Sequence, residues 1–138
     1  MIRMVLDTNI LVSANLNRDG LEAVVVSLAL NGKIQLCVSE PILAEYQRVL
    51  LYPRLKFSPR EVKNFLALVR RSSTFVNPTG GVSQSADHSD NRFLECAEAA
   101  GAAFLVTGNQ RHFPPRWKKT RIVNARELFG MIGASILK

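Results

Sequence analysis

Five short, largely apolar runs recur along the chain, Ile2 to Leu6, Ile34 to Val38, Thr74 to Val76, Ala103 to Val106 and Arg121 to Val123, with helix-like stretches between them. Each run is too short for a helix and is bounded by polar or turn residues, so each reads as a buried strand. Alternation of this kind predicts an α/β domain: a mostly parallel central sheet covered on both faces, in a three-layer α/β/α sandwich. In such sheets ligands bind outside the carboxyl ends of the strands. Asp7, Ser39 and the Thr107 to Asn109 segment all fall at such ends.

The intervening stretches carry helix signals. Leu21 to Leu30 is apolar on most sides and closes at Asn31 and Gly32. Ser39, Glu40 and Pro41 supply a capping hydroxyl and a first-turn proline for a helix running to about Leu51, ended by Pro53. Ser58 and Glu61 spell a capping box that opens an amphipathic helix through Val69. Asn77 to His88, with Pro78, Gly80 and Gly81, predicts a surface loop leading into a helix from near Ser89. Thr107 to Thr120 reads as a basic loop, and Asn124 to Ile132 as a last helix capped by Asn124 and Glu127. After the first strand, the polar triplet Asp7, Thr8 and Asn9 predicts a loop. Neither repeat nor linker interrupts the pattern, which predicts one domain over residues 1–138.

The 138 residues, 47% of them apolar and 21% charged, are enough for a single core without disulfides. Lys and Arg number 18 against 11 Asp and Glu, a net charge of +7 that suits a polyanionic partner. Cys37 and Cys96 are too few and too far apart for a zinc motif and read as buried, reduced thiols. The N-terminus has no signal-peptide pattern, and Glu22 and Ser27 interrupt the longest apolar run, so a cytoplasmic location and no membrane span are expected.

Three carboxylates stand out. Asp7 follows a strand directly, where the ordinary alternative is a turn or cap residue. Glu45 lies three residues after Ile42 and four before Val49, on the apolar stripe of its own helix, where it is either a ligand or half of a buried ion pair. Asp90 shares a stripe with Leu94 and Ala97 and sits in a first turn, where the helix dipole also favours an acid. All three map to one end of one sheet. Such a cluster repels itself unless a cation compensates, and oxygen donors favour Mg²⁺ or Mn²⁺. A cation held there can promote phosphodiester hydrolysis. Arg111, Arg116, Lys118 and Lys119 would then hold the phosphate backbone, with His112 near the scissile group; the alternative for these residues is a solvated basic loop.

The ordered set Val5-Leu6-Asp7-Thr8-Asn9, Ser39 with Glu45, then Asp90, Asn91, Phe93, Leu94, Glu95, Ala97, and Leu105-Val106-Thr107-Gly108 resembles the PIN-domain nucleases, in particular VapC-like toxins of bacterial and archaeal toxin–antitoxin pairs. The resemblance spans Ile2 to Phe113. It implies that Asp7, Glu45 and Asp90 coordinate Mg²⁺ or Mn²⁺, that Thr8, Asn9, Ser39 and Thr107 support them, and that the chain cuts RNA, forms a homodimer and binds a small antitoxin. Many relatives carry a fourth acid where this chain has Asn109. Its amide can still orient water or offer one oxygen, and Asp87 is a candidate to restore part of the missing charge. A second function class follows from Asn109, a nucleic-acid binding module that keeps the fold without cutting. A third, the signalling receiver domain, matches only at Asp7, because the acidic pair and late lysine that it needs are missing.

Overall fold

The computed structural model describes residues 1–79 and 88–136. In chain order its elements are β1 (Arg3–Leu6), α1 (Thr8–Leu16), α2 (Leu21–Leu30), β2 (Gln35–Val38), α3 (Glu40–Leu50), α4 (Pro59–Ser72), β3 (Ser73–Phe75), α5 (His88–Ala100), β4 (Phe104–Val106), β5 (Arg116–Trp117), β6 (Thr120–Val123) and α6 (Ala125–Ile136). Short 3-10 turns cover Pro53–Leu55 and Gln110–His112. The sheet order is β3-β2-β1-β4-β6-β5, parallel throughout except for β5, which runs antiparallel to β6. The fold is thus the α/β sandwich expected, and each of the five anticipated strands lies within a residue of its expected ends.

Branched and apolar residues make these strands because the central ones are buried on both faces, where alternation would waste half the side chains. Met4, Val5, Leu6, Leu105 and Val106 are fully buried. Helix α5 packs across β1, β2 and β4, and α6 across β4 and β6. Crossovers are right-handed, so connections running in opposite directions across a sheet take opposite faces: the helices between β1, β2 and β3 cover one, and α5 the other. That reversal makes the gap between the carboxyl ends of β1 and β4 the switch point, where a crevice opens.

Two elements differ from expectation. Thr8–Leu16 is a helix, not a loop. Of its apolar residues it buries only Ile10, Leu11 and Ala14, and Asn9, Ser13 and Asn15 interrupt the sequence, so no clean helical stripe marks it. Packing on α2 and α3, not intrinsic propensity, stabilises so short a helix. The basic loop contains a hairpin, β5–β6, that carries the antiparallel edge strand.

Both expected capping boxes form. The Ser58 hydroxyl accepts from the Glu61 amide and the Glu61 carboxylate accepts from the Ser58 amide, each at 3.0 Å. Asn124 and Glu127 make the same reciprocal pair. Ser39 stands at the N-cap of α3, but its side chain makes no cap hydrogen bond, unlike the capping hydroxyl expected of it. Ser58→Ala is expected to lower stability by about 1 kcal/mol. Urea unfolding would measure it, and an unchanged midpoint would mean that the box contributes nothing.

Candidate active site at the carboxyl edge of the sheet

Asp7 occupies the N-cap position of α1, yet its side chain makes no cap hydrogen bond. Its carboxylate turns across the switch point instead. Oδ2 accepts from Thr107 Oγ1 at 2.7 Å and from Asn9 Nδ2 at 3.2 Å. Thr107 in turn accepts from the Asn109 amide at 2.9 Å, and the Asn9 side-chain oxygen accepts from the Gly108 amide at 3.1 Å. The ends of β1 and β4 are therefore laced together by side chains that also fix the Asp7 rotamer. Only 7% of Asp7 is exposed. Burial pushes its carboxyl above the usual carboxylate range; the bonds from Thr107 and the Thr8 backbone pull the other way, the charge of Glu45 adds to the rise, and His112 opposes it.

Glu45 projects from α3 toward the same edge, its side chain 14% exposed. The Thr8 hydroxyl, on the residue after Asp7, donates to Glu45 Oε2. Arg48 lies 3.7 Å away from the other oxygen and is itself mostly exposed. A solvated pair of that kind contributes at most about 1 kcal/mol, too little to account for placing a carboxylate on the apolar face of α3. The structure thus gives Glu45 a loose ion pair, and a closer tie to the residue beside Asp7.

Asp90, in the first turn of α5, is 7% exposed, and its Oδ2 lies 3.4 Å from His112 Nδ1. His112 follows Asn109 on the 3-10 turn beyond β4, so the loop after β4 reaches back over the N-terminus of α5. Asn109 and Arg111 are exposed on the rim, and Ser39 is buried at the end of β2. Asp87 lies outside the described residues.

The structure therefore brings Asp7, Thr8, Asn9, Glu45, Asp90, Thr107, Asn109, Arg111 and His112 to one edge. Lys118 and Lys119 are elsewhere. They form the β5–β6 turn at the amino end of β6, and Lys118 Nζ is 3.6 Å from Glu98, near the far end of α5. Arg116 pairs with Arg121, which aligns with Phe104 at the start of β4. The expectation that these three cations surround the carboxylates does not hold. An antiparallel hairpin inside the presumed loop folds them back down the sheet.

Three further residues belong to this edge. Tyr46, adjacent to Glu45 and fully buried, donates from its hydroxyl to the Leu6 carbonyl at 2.5 Å, bracing the peptide just before Asp7. Arg92 forks onto Glu95 at 2.5 and 2.9 Å, beside a cavity of about 150 Å³ that Ser39 and Pro41 also line. Glu95 stood in the motif that carries the resemblance, but the only cue that it pairs with Arg92 was their spacing of three residues on a helix, a weak signal. For Tyr46 there was none, since an aromatic on an apolar stripe reads as core.

Among the described residues, no three His, Cys, Asp or Glu side chains already stand together as a closed ligand set. Asp7 and Glu45 are joined through Thr8, and His112 stands between the charges of Asp7 and Asp90. The donor chemistry still fits a hard divalent cation. The three acids offer only oxygen, and a cation would relieve both the burial and the mutual repulsion that raise the Asp7 carboxyl.

Comparison with known proteins agrees with this geometry. Residues 3–111 match the PIN domain family. An uncharacterized protein of Methanocaldococcus jannaschii is 28% identical over 112 residues, covering 79% of this chain and 72% of that protein. The fold resembles a chain of VapBC2 from Rickettsia felis, solved bound to a DNA fragment from its promoter, with a TM-score of 0.59 and 18% identity, over 89% of this chain and 98% of that one. It also resembles a chain of DNA-bound VapBC from Salmonella typhimurium, with a TM-score of 0.54 and 21% identity, over 91% and 99% of the two chains. With most of its length matched and its carboxylates at the switch point, this chain belongs to the PIN-domain family, whose members are in general nucleases that use divalent metals.

Proposed function

We propose that this protein is a metal-dependent endoribonuclease, the toxin of a toxin–antitoxin pair. The observation that carries the reading is the buried Asp7 carboxylate, which caps no helix and is held by Thr107 across the switch point, with Glu45 near enough to raise its proton affinity. Asp7, Glu45 and Asp90 would hold Mg²⁺ or Mn²⁺, which supplies Lewis acidity at a phosphodiester when bound. The chain's own residues do the positioning. Thr107 and Asn9 fix Asp7, and Thr8 fixes Glu45. Arg111 offers positive charge and His112 a ring nitrogen to the phosphate at the rim, and the exposed Asn109 side-chain amide can orient water.

The partner reading rests on the two structural neighbours, both of them VapBC complexes. A groove of about 660 Å³ between α1, α2, α4 and the end of α3, lined by Val26, Leu30, Leu50 and Phe65 among others, offers such an antitoxin apolar surface. A homodimer in the cytoplasm completes the proposal. Among the described residues no helix is long and apolar enough to cross a membrane.

RNA incubated with the purified protein should be cut with Mg²⁺ or Mn²⁺ and left intact with EDTA, and Asp90→Asn should lower the rate about a hundred-fold or more. Cutting indifferent to EDTA and to Asp90→Asn would sink the assignment. Asn109 motivates a second reading, a module that binds RNA without cutting it. Calorimetric titration with Mn²⁺ separates the two: metal uptake accompanied by turnover supports the nuclease, and tight, salt-sensitive RNA binding without metal uptake supports the module.

A further inference from the structure

The cations that the fold removes from the acidic edge are gathered elsewhere. Arg116 and Arg121 are directly paired across β5 and β6, so their side chains leave the same face of the ribbon side by side. Like charges in that position destabilise a hairpin. Both are exposed, and among the described residues neither they nor Lys119 has a carboxylate within ion-pair distance. The turn adds a second anomaly. Lys118 adopts the left-handed region at φ 54°, a conformation that costs a side-chain-bearing residue about 1–2 kcal/mol and that two-residue hairpin turns ordinarily give to Gly or Asn. Lys118 is held there over the Trp117 ring, 5.3 Å from its centroid, with Trp117 half-buried behind it.

A self-repelling, strained hairpin tip made of Lys and Arg has a physical rationale if an anion completes it. We infer that the β5–β6 hairpin is a second phosphate-backbone contact for RNA, remote from the carboxylates, and that it selects long or folded RNA over short oligonucleotides. The inference rests on the nuclease reading above. Thr120 to Val123 spans three strand steps, so the hairpin tip lies roughly 10 Å down the sheet from the edge that holds Asp7 and Thr107. A dinucleotide seated at the acidic edge, at roughly 3.4 Å of rise per stacked nucleotide, ends before it reaches the tip, whereas a longer RNA passes over both. An acidic peptide added as an extra strand is disfavoured, because β5 is two residues long and offers almost no edge to pair with.

The test uses the full chain carrying Arg116→Gln, Lys119→Gln and Arg121→Gln together, which also relieves the cross-strand repulsion and should leave the melting temperature unchanged or higher. Binding is read by filter retention in EDTA, and cleavage with Mn²⁺, on an RNA stem longer than one helical turn and on a dinucleotide. The variant is expected to bind the long RNA at least ten-fold more weakly, with a salt dependence shallower by about two to three in log–log slope. Its preference for the long RNA over the dinucleotide should collapse. Restoring charge with Arg116→Lys and Arg121→Lys should recover most of the loss. Long-RNA affinity and salt slope equal to wild type would overturn the hairpin contact alone, while loss of cleavage in Asp7→Asn would still uphold the acidic site. Wild-type protein that retains no long RNA overturns the hairpin contact, wild-type protein that also fails to cut it with Mn²⁺ overturns both readings, and a hairpin-dependent preference for poly-glutamate over RNA overturns the RNA assignment in favour of an acidic protein partner.

Discussion

Asp7→Asn is expected to abolish metal-dependent cleavage, by about a thousand-fold or more, and at the same time to stabilise the fold at neutral pH. The loss follows from removing a carboxylate that is buried and aimed at the crevice. The gain follows from the same burial. The Asp7 carboxyl sits above its ordinary value of 3.8, so the folded state binds its proton more readily than the unfolded chain and the charge opposes folding. That penalty is present in full above the folded-state pKa, shrinks as the pH falls through it, and vanishes below 3.8, where both states are protonated. Asn keeps an oxygen to accept from Thr107 and never carries the charge. Thermal melts without added metal should therefore show the variant above wild type at pH 7 and the two converging below about pH 4. A variant that melts below wild type at pH 7 would show that Asp7 is structural, and one that still cuts RNA would remove it from the site.

Tyr46→Ala is expected to cost about 3–5 kcal/mol, the largest stability loss foreseen for one residue at this edge. The ring is fully buried against Phe93, with centroids 6.4 Å apart. Tyr46→Phe isolates the hydroxyl. It keeps the packing but removes the donor to the Leu6 carbonyl, at a cost of about 1–3 kcal/mol for the buried acceptor left behind. Because Leu6 precedes Asp7, the Phe variant should also lose turnover while retaining RNA affinity. Denaturant midpoints and single-turnover rates measure the two effects. A Phe variant within about 0.5 kcal/mol of wild type and fully active would leave Tyr46 as packing alone.

The buried aromatic brace and the acid it serves were not equally legible. Asp7, Glu45 and Asp90 could be read from position, because a polar residue after a strand or on an apolar stripe conflicts with its surroundings wherever the chain folds. Tyr46 conflicts with nothing, and its role depends on one hydroxyl meeting one carbonyl 40 residues away. The Ser58–Glu61 and Asn124–Glu127 boxes were readable for a similar reason, since they are closed within four residues. Ser39 looked like a third cap, and its hydroxyl does not bond as one.

Local chemistry and periodicity thus settled the strands, most helices, the fold class and the carboxylates that stand at strand and helix ends, because burial of short apolar runs leaves few arrangements for an alternating chain. Tertiary structure decided what lies beside what. The segment opened by the polar triplet Asp7, Thr8 and Asn9 became helix α1 because α2 and α3 cover its buried face. Thr107 met Asp7 because β4, distant in sequence, pairs with β1 in parallel register. The basic run from Arg116 to Arg121 left the acidic edge because Trp117 and Thr120 pair antiparallel, a non-local hydrogen-bonding choice that composition does not encode, and that turn carried its cations to the other end of the sheet.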